Sequence, residues 1–237
     1  LCLLILGLEW GAHALDDVGR IKSVLRHSPL MVRVNPVNPQ TPGEVSAVLA
    51  QGADLLMLPM FTTADELRQF ARIVDGRAPI VPLLETAGAL HSLPQWVATP
   101  GLAEVFVGLN DLHLSLGCRF MFEPLARGHV DQVAAVVHGA GLRFGFGGIA
   151  RLDEGLLPGR DVLSEHVRLG SSAVILSRTF HRSDSSTSFE DEVASLREAE
   201  QRLATRSPAQ RDADHQRVLA RIDAIAAGMA PARAVAS

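Results

Sequence analysis

Residues 79–86 read PIVPLLET and residues 103–111 read AEVFVGLND, and each apolar run ends at an acidic residue, Glu85 or Asp111. Five further apolar runs along the chain stop in a similar way, at a glycine, a proline or a charged residue, and stretches with helical spacing separate them. Strands that alternate with helices predict a parallel sheet with helical crossovers. The carboxyl ends of the strands would then form one face, which is where α/β barrels place their active sites.

The predicted strands are nearly continuous in apolar residues, which is typical of strands that are covered on both faces. There are seven of them, at residues 3–9, 30–35, 54–58, 80–85, 104–108, 142–147 and 173–177. Helices are predicted at residues 15–26, 42–51, 64–74, 87–97, 129–140, 158–169, 189–205 and 209–227. Because a closed barrel of this type has eight βα units, we predict a TIM (β/α)8 barrel that lacks its first βα unit and carries extra C-terminal helices.

Length and composition fit one large domain. Of the 237 residues, 47% are hydrophobic and 20% are charged, which is enough to bury a barrel core. We therefore predict a barrel domain at residues 1–205, followed by a C-terminal helix and flexible tail at residues 206–237. The formal net charge of −4 gives the chain no general electrostatic attraction to nucleic acid.

The cysteines and the N-terminal segment bear on location. Cys2 and Cys118 lie far apart in the sequence and have no metal-binding spacing, which suits a reducing cytoplasm. Residues 1–17, LCLLILGLEWGAHALDD, mimic a secretory signal, but no basic segment precedes the apolar run. The run is also far shorter than the ~20 residues of a membrane helix. We interpret it as a buried strand, and we expect the true N-terminus to lie upstream because no Met comes first.

Glu85 and Asp111 are the predicted metal ligands. Neighbouring parallel strands lie ~4.8 Å apart, so carboxylates at the ends of two of them can point into the same opening of the barrel. Two carboxylates and a few waters suit Mg²⁺ or Mn²⁺, and a substrate with adjacent carboxylate and carbonyl oxygens would fill two open positions. The alternative is that Glu85 caps the next helix and that Asp111 is a turn residue.

Arg33 lies in the run LMVRVNP, between two valines. A guanidinium in an apolar run is costly unless it is paired, so we expect it to meet a carboxylate or a ligand at the barrel mouth. The alternative is a structural ion pair with Glu9 or Glu85.

Three glycines, Gly145, Gly147 and Gly148, occur in the run FGFGGIA. They could let the backbone approach a ligand and expose amides to an anion. The alternative is that they only form a turn at the end of a strand.

Four segments together resemble the HpcH/HpaI aldolase/citrate lyase family. In chain order they read VRVN, GADLLMLPMFTTADEL, PLLETAGAL and FVGLNDLHLSLG, and the resemblance extends over about residues 3–180. It implies a (β/α)8 barrel with a divalent metal held by Glu85 and Asp111, and it implies that Arg33 binds a 2-oxo acid and stabilises its enolate. It also implies a homo-oligomer whose terminal helices exchange between subunits. The residues that it implies for substrate binding are Arg33, Pro59, Gly108, Leu109 and Asn110.

The chain departs from the family at two positions. Pyruvate aldolases of the family usually have a Glu-His pair, with the histidine in proton transfer, where this chain has Glu9 and Trp10. They also commonly have Gln where this chain has Leu83. An indole cannot accept a proton, so the nearest replacements by sequence are His13 and His113. The predicted catalytic residues are Arg33 and Glu9, which the resemblance implies, and His113, which lies two residues past Asp111 and is the nearest replacement by sequence for the missing histidine.

These observations predict a cytoplasmic, metal-dependent carbon–carbon lyase or aldolase-like enzyme. A 2-oxo acid such as pyruvate or oxaloacetate would chelate Mg²⁺ (or Mn²⁺), which stabilises the enolate. One alternative is a lyase or synthase that acts on citrate-like or CoA-thioester substrates. A second is a barrel that has lost catalysis and serves in binding or assembly, which Trp10 favours. No nucleic-acid or membrane partner is expected.

Overall fold

The computed structural model describes residues 4–7, 15–181 and 187–230, with the backbone alone for residues 4–7 and for residue 181. The described residues form two compact units, and each is treated by itself. Unit 1 contains the described residues up to Phe106 together with Val136–Arg143. Unit 2 contains Val107–Ala135 and the described residues from Phe144 onward.

Within the described ranges, seven β-strands alternate with helices, as the sequence predicted. The strands are β1 Leu4–Gly7, β2 Leu30–Arg33, β3 Leu55–Leu58, β4 Ile80–Leu84, β5 Glu104–Val107, β6 Arg143–Ile149 and β7 Ala173–Leu176. Each overlaps its predicted segment, and only β6 extends beyond it, by two residues. The core strands β2 to β5 are almost entirely buried, which explains their continuous apolar sequences.

Eleven α-helices are found among the described residues, and two of them were not predicted. They are α1 Leu15–Val24, α2 Thr41–Ala50, α3 Ala64–Val74, α4 Ala87–His91, α5 Leu93–Trp96, α6 Leu109–Ser115, α7 Glu123–Ala126, α8 His129–Gly139, α9 Gly159–Arg168, α10 Phe189–Ala204 and α11 Pro208–Ala227. A 3₁₀ helix spans Arg178–His181. The single helix predicted at residues 87–97 is two short helices that meet at Ser92, and α6 and α7 are the additional ones.

Unit 1 is built on parallel strands in the order β1 to β5. Arg33 of β2 pairs in register with Met57 of β3, and Met57 pairs with Val81 of β4. At the other end of β4, the Ile80 N–H donates to the Gly101 carbonyl at 2.9 Å, which places β5 beside β4. This register fixes which side chains of neighbouring strands share a face of the sheet.

Unit 2 contains the parallel pair of β6 and β7, with an irregularity in register between Gly145 and Gly148. Helix α9 packs against α10 and α11, and α11 also packs against α7. The C-terminal helices therefore contact other helices of their own chain. The tail predicted after α11 lies, from Pro231 onward, outside the described residues.

An α/β fold of parallel strands with helical crossovers is thus confirmed. The described part of the chain contains seven strands, so the predicted closure into an eight-stranded barrel is not shown, and the missing first βα unit stays a prediction. None of the helices that the structure describes is long and apolar enough to cross a membrane.

Candidate metal and substrate site

The predicted site residues are distributed over both units. Unit 1 contains Arg33, Pro59 and Glu85, whereas unit 2 contains Gly108, Leu109, Asn110, Asp111 and His113. Glu9, Trp10 and His13 lie outside the described residues. The catalytic role of Glu9, the effect of Trp10 beside it and the alternative ion pair between Glu9 and Arg33 therefore stay predictions.

Glu85 follows β4 directly and is buried, with 4% of its surface exposed. Its Oε1 accepts a hydrogen bond of 3.0 Å from the backbone N–H of Met60. Met60 has a φ of 56°, in the left-handed region that residues other than glycine seldom adopt. This unusual backbone angle after β3 aims the amide at the carboxylate, and it gives Glu85 a defined orientation.

Thr86 and Gly88 hold the turn after Glu85 against the loop after β3. The Thr86 hydroxyl donates to the Phe61 carbonyl at 2.7 Å and accepts from the Ala89 N–H at 3.0 Å. A Cβ on Gly88 would lie 2.5 Å from the Thr62 carbonyl oxygen, so only glycine fits there. Because Thr86 is the N-cap of α4, the alternative that Glu85 caps the next helix is wrong.

Arg33 is the last residue of β2 and is partly buried. It shares a sheet face with Val81, because the two are related through Met57 by parallel register. Side chains alternate along a strand, so positions 81, 83 and 85 continue that same face. The register therefore places Arg33 and Glu85 on one face of the unit 1 sheet, towards the carboxyl ends of its strands.

Asp111 lies in the first turn of α6 and not in a turn at the end of a strand. Gly108 is the N-cap of this helix and Asn110 is exposed, whereas Leu109 is buried. A carboxylate in the first turn is favoured because the N-terminus of a helix carries partial positive charge. Helix α6 was not predicted from the sequence, because it has only seven residues and starts without a Ser, Thr, Asp or Asn cap.

His113 belongs to the same helix, and its Nδ1 lies 3.2 Å from the Leu109 carbonyl oxygen. If Nδ1 carries the proton of that contact, Nε2 is the nitrogen that can accept one. Residues two apart on an α-helix are about 200° apart around its axis, so Asp111 and His113 point in different directions. The catalytic role of His113 stays a prediction.

Gly147 of β6 supports the start of α6. Its φ is +55°, and a Cβ at this position would lie 2.9 Å from Cδ1 of Leu109. The glycine thus permits a close contact with Leu109, two residues before Asp111. The FGFGGIA segment was predicted either to approach a ligand or to form a turn, and Gly147 in fact serves packing within unit 2.

The donor chemistry of the two carboxylates suits a hard divalent cation. Within the described residues, no group of three or more His, Cys, Asp and Glu side chains could hold a metal ion. Mg²⁺ is commonly held by one or two carboxylates, with the remaining positions filled by water and substrate oxygens. Glu85 and Asp111 each offer an oxygen ligand of this kind, and their role as metal ligands stays a prediction.

Residues 13–121, which are 109 of the 237 residues, match the family model described as HpcH/HpaI aldolase/citrate lyase. The matched segment includes Arg33, Glu85, Asp111 and His113. Comparison with curated proteins gave no match.

Solved structures from this family share the fold. An HpcH/HpaI aldolase from Desulfitobacterium hafniense DCB-2 has a TM-score of 0.59 at 19% identity, and the match covers 73% of this chain and 75% of the aldolase chain. The citrate lyase beta subunit from M. tuberculosis, complexed with oxaloacetate and magnesium, has a TM-score of 0.57 at 18% identity, with coverages of 84% and 86%. CitE from Mycobacterium tuberculosis, in complex with magnesium and acetate, has a TM-score of 0.59 at 17% identity, with coverages of 92% and 87%.

At these identities the structural likeness establishes the fold and not the reaction. The sequence match adds a likeness to a family that contains aldolases and citrate lyases. The predicted resemblance to the HpcH/HpaI aldolase/citrate lyase family is thereby confirmed over residues 13–121.

Proposed function

We propose that this chain is a metal-dependent carbon–carbon lyase that acts on a 2-oxo acid of the pyruvate or oxaloacetate type. The observation that carries the proposal is the buried Glu85 carboxylate, which follows β4 and is oriented by the Met60 amide. It lies on the same sheet face as Arg33. An oriented oxygen ligand and a cation at the carboxyl ends of parallel strands are what binding of a chelating carboxylate requires.

Each residue has a proposed task. Mg²⁺, held by Glu85 and Asp111, would polarise the carbonyl of a bound 2-oxo acid, and Mn²⁺ is the alternative ion. Arg33 would bind the substrate carboxylate through its planar guanidinium and stabilise negative charge that develops during the reaction. Pro59, Gly108, Leu109 and Asn110 are the proposed substrate-binding positions.

Two structures from the family support this choice of ion and substrate. The citrate lyase beta subunit from M. tuberculosis was solved with oxaloacetate and magnesium, and CitE was solved with magnesium and acetate. Oxaloacetate and acetate both carry carboxylates. These complexes also favour the second candidate function, a lyase that acts on a citrate-like substrate.

Proton transfer requires a side chain that can accept a proton. Glu9 is a proposed participant, and Trp10 beside it cannot accept a proton. His113 is the proposed replacement and would act through Nε2, because Nδ1 contacts the Leu109 carbonyl. Without such a base, the chain would bind metal and substrate but would not exchange protons with the substrate.

The test combines binding with proton exchange. Isothermal titration should show that oxalate, an enolate mimic, binds in the presence of Mg²⁺ to the wild type and to the control Asp65→Asn, which lacks an exposed carboxylate of α3. Wild-type exchange of pyruvate methyl protons, followed by NMR in D₂O, would support the aldolase-type reaction, and its loss in His113→Gln would support the role of His113. Failure of Mg²⁺ and oxalate to bind would contradict the proposal.

Other outcomes would support a different function for this chain. Binding of oxaloacetate with no exchange of pyruvate protons would favour the citrate-like substrate class. If Trp10→His then gains exchange by a factor near the roughly 10²- to 10⁴-fold worth of general-base catalysis, the wild type lacks only the base. Binding without any reaction in either variant would favour a role in binding or assembly.

A further inference from the structure

A cleft of about 240 Å³ lies in unit 2, where α9 and α10 come together with α11. Four arginines from α9, α10, α11 and the α10–α11 connection line it: Arg160, Arg202, Arg206 and Arg217. None of these residues takes part in the proposed lyase reaction. We propose that this cleft is a binding site for a phosphate-type oxyanion.

Three of the arginines, Arg160, Arg202 and Arg217, have more than half of their side-chain surface exposed to a ligand. Arg160 and Arg202 have 59% and 62% of their side-chain surface exposed. Their ion-pair partners Asp153 and Glu198 are even more exposed, at 74% and 70%. Ion pairs this exposed contribute little to stability, so an incoming anion can replace these carboxylates at little cost.

Arg206 and Arg217 are held in place by ion pairs with two buried aspartates. Asp214 forms ion pairs with both Arg206 and Arg217, the latter at 2.6 Å. Asp161, with 5% of its side chain exposed, lies 3.7 Å from Arg217 and 3.1 Å from Arg221. These buried carboxylates fix the positions of the Arg206 and Arg217 guanidinium groups. The resulting wall of the cleft is ordered before any ligand binds, which lowers the entropy cost of binding.

The arginine side chains, and not the N-terminus of α9, would hold the anion. The Arg160 N–H donates to the Leu152 carbonyl at 3.0 Å, and the Asp161 N–H donates to the Pro158 carbonyl at 2.9 Å. These amides are therefore engaged within the protein. Guanidinium groups present a planar fork of donors that matches the oxygens of a phosphate.

The volume restricts the kind of ligand. Sites for drug-sized molecules typically measure roughly 300–1,000 Å³, and this cleft is smaller. A phosphate or a pyrophosphate suits it better than a whole nucleotide. A nucleotide could insert its phosphates only if the remainder stays outside the cleft.

Isothermal titration of the full chain with inorganic phosphate and with pyrophosphate, at constant ionic strength, tests the site. Hydrogen bonds to charged groups are strong enough that Arg160→Gln and Arg202→Gln should each weaken pyrophosphate binding by about tenfold or more. The matched control is Arg197→Gln, which removes another exposed arginine of α10 that pairs with Glu200. It should leave pyrophosphate affinity unchanged.

A charge change of the opposite sign separates a ligand site from a structural ion-pair network. Glu198→Gln removes the carboxylate that competes for Arg202, so it should tighten pyrophosphate binding, whereas Glu200→Gln should not. Equal pyrophosphate affinity in the wild type, Arg202→Gln and Glu198→Gln would overturn the proposal. Titration with ADP then distinguishes the sources: affinity similar to that of pyrophosphate indicates the phosphates of a nucleotide, and much weaker affinity indicates the free anion.

Discussion

Glu85 and Asp111, the two carboxylates proposed to bind the metal, are held in different ways. Glu85 is buried directly after a strand, and one of its oxygens accepts the Met60 N–H. Asp111 is partly buried in the first turn of the short helix α6, which begins where Leu109 meets Gly147. The comparison shows one proposed ligand that is oriented by a hydrogen bond and a second that is positioned by side-chain packing. The two should therefore respond to different kinds of substitution.

Removal of the charge at Glu85 should have the largest effect. Glu85→Gln keeps the size of the side chain and an oxygen for the Met60 amide, so the fold should stay intact while one anionic ligand is lost. Substitution of groups that merely support metal ligands typically costs 10- to 100-fold in affinity, so loss of a ligand should cost at least roughly as much. Titration with Mg²⁺ and with Mn²⁺ in the presence of oxalate measures this.

Asp111→Asn is the matched substitution in unit 2. It should also weaken metal binding, but by less, because the more exposed Asp111 can be replaced by a water molecule more easily. Unchanged Mn²⁺ affinity in Glu85→Gln would exclude Glu85 as a ligand. A larger loss in Asp111→Asn than in Glu85→Gln would reverse the comparison.

Arg33 should affect substrate binding and not metal binding. Arg33→Lys keeps the charge but loses the planar fork, so it should impair oxalate binding nearly as much as Arg33→Ala does. Oxalate titration at saturating Mg²⁺ and a urea unfolding curve of each variant give the result. If both variants lose stability but bind oxalate normally, Arg33 is a structural ion-pair residue.

The two regions also differ in how far the sequence predicted them. The continuous apolar run of β4 located the strand, and its end located Glu85 within one residue. Helix α6 was missed because seven residues hold only two turns, too few for a helical period to stand out from a turn. The N-cap role of Thr86 could have been found from its position before AGAL. The hydrogen bond from Met60 to Glu85 could not have been predicted, because a left-handed backbone angle at methionine has no sequence signature.

Gly147 should control the packing that supports Asp111. Gly147→Ala would place a Cβ 2.9 Å from Leu109 and would force alanine into the left-handed region. Strain of this kind costs about 1–3 kcal/mol, and we expect Mg²⁺ affinity to fall along with stability. The control is Gly148→Ala, whose Cβ would make only an ordinary contact at 3.6 Å. Equal unfolding free energies for the two variants would show that the Leu109 contact is unimportant.

Acid should weaken unit 2 through His166. Its ring stacks on Phe146, the residue before Gly147, at 3.8 Å, and burial lowers the pKa of His166 to about 3 from 6.5. The unfolded chain therefore binds a proton at a higher pH than the folded chain does. The stability contributed by neutral His166 is complete above pH 6.5 and is lost as the pH falls towards 3.

The free energy of unfolding should be lower by about 2 kcal/mol at pH 5, since each pH unit below 6.5 changes it by about 1.4 kcal/mol. Urea unfolding at pH 7.5 and at pH 5 measures it. His166→Phe retains a ring against Phe146 but has no proton to gain, so its free energy of unfolding should fall less between the two pH values. The same pH dependence in both proteins would assign the acid sensitivity to other groups.

Met60→Gly should have the smallest effect, and it tests how Glu85 is oriented. Glycine adopts a φ of 56° without strain, so the variant should be more stable by less than about 1 kcal/mol, as the added flexibility of the unfolded chain offsets part of the gain. The backbone N–H that donates to Glu85 remains, so Mg²⁺ affinity should hardly change. Asp75→Gly is the control, because Asp75 has a φ of 50° at the end of α3 and has no proposed part in the site. If Met60→Gly loses as much Mg²⁺ affinity as Glu85→Gln, while Asp75→Gly loses none, the Met60 side chain and not its amide supports the carboxylate.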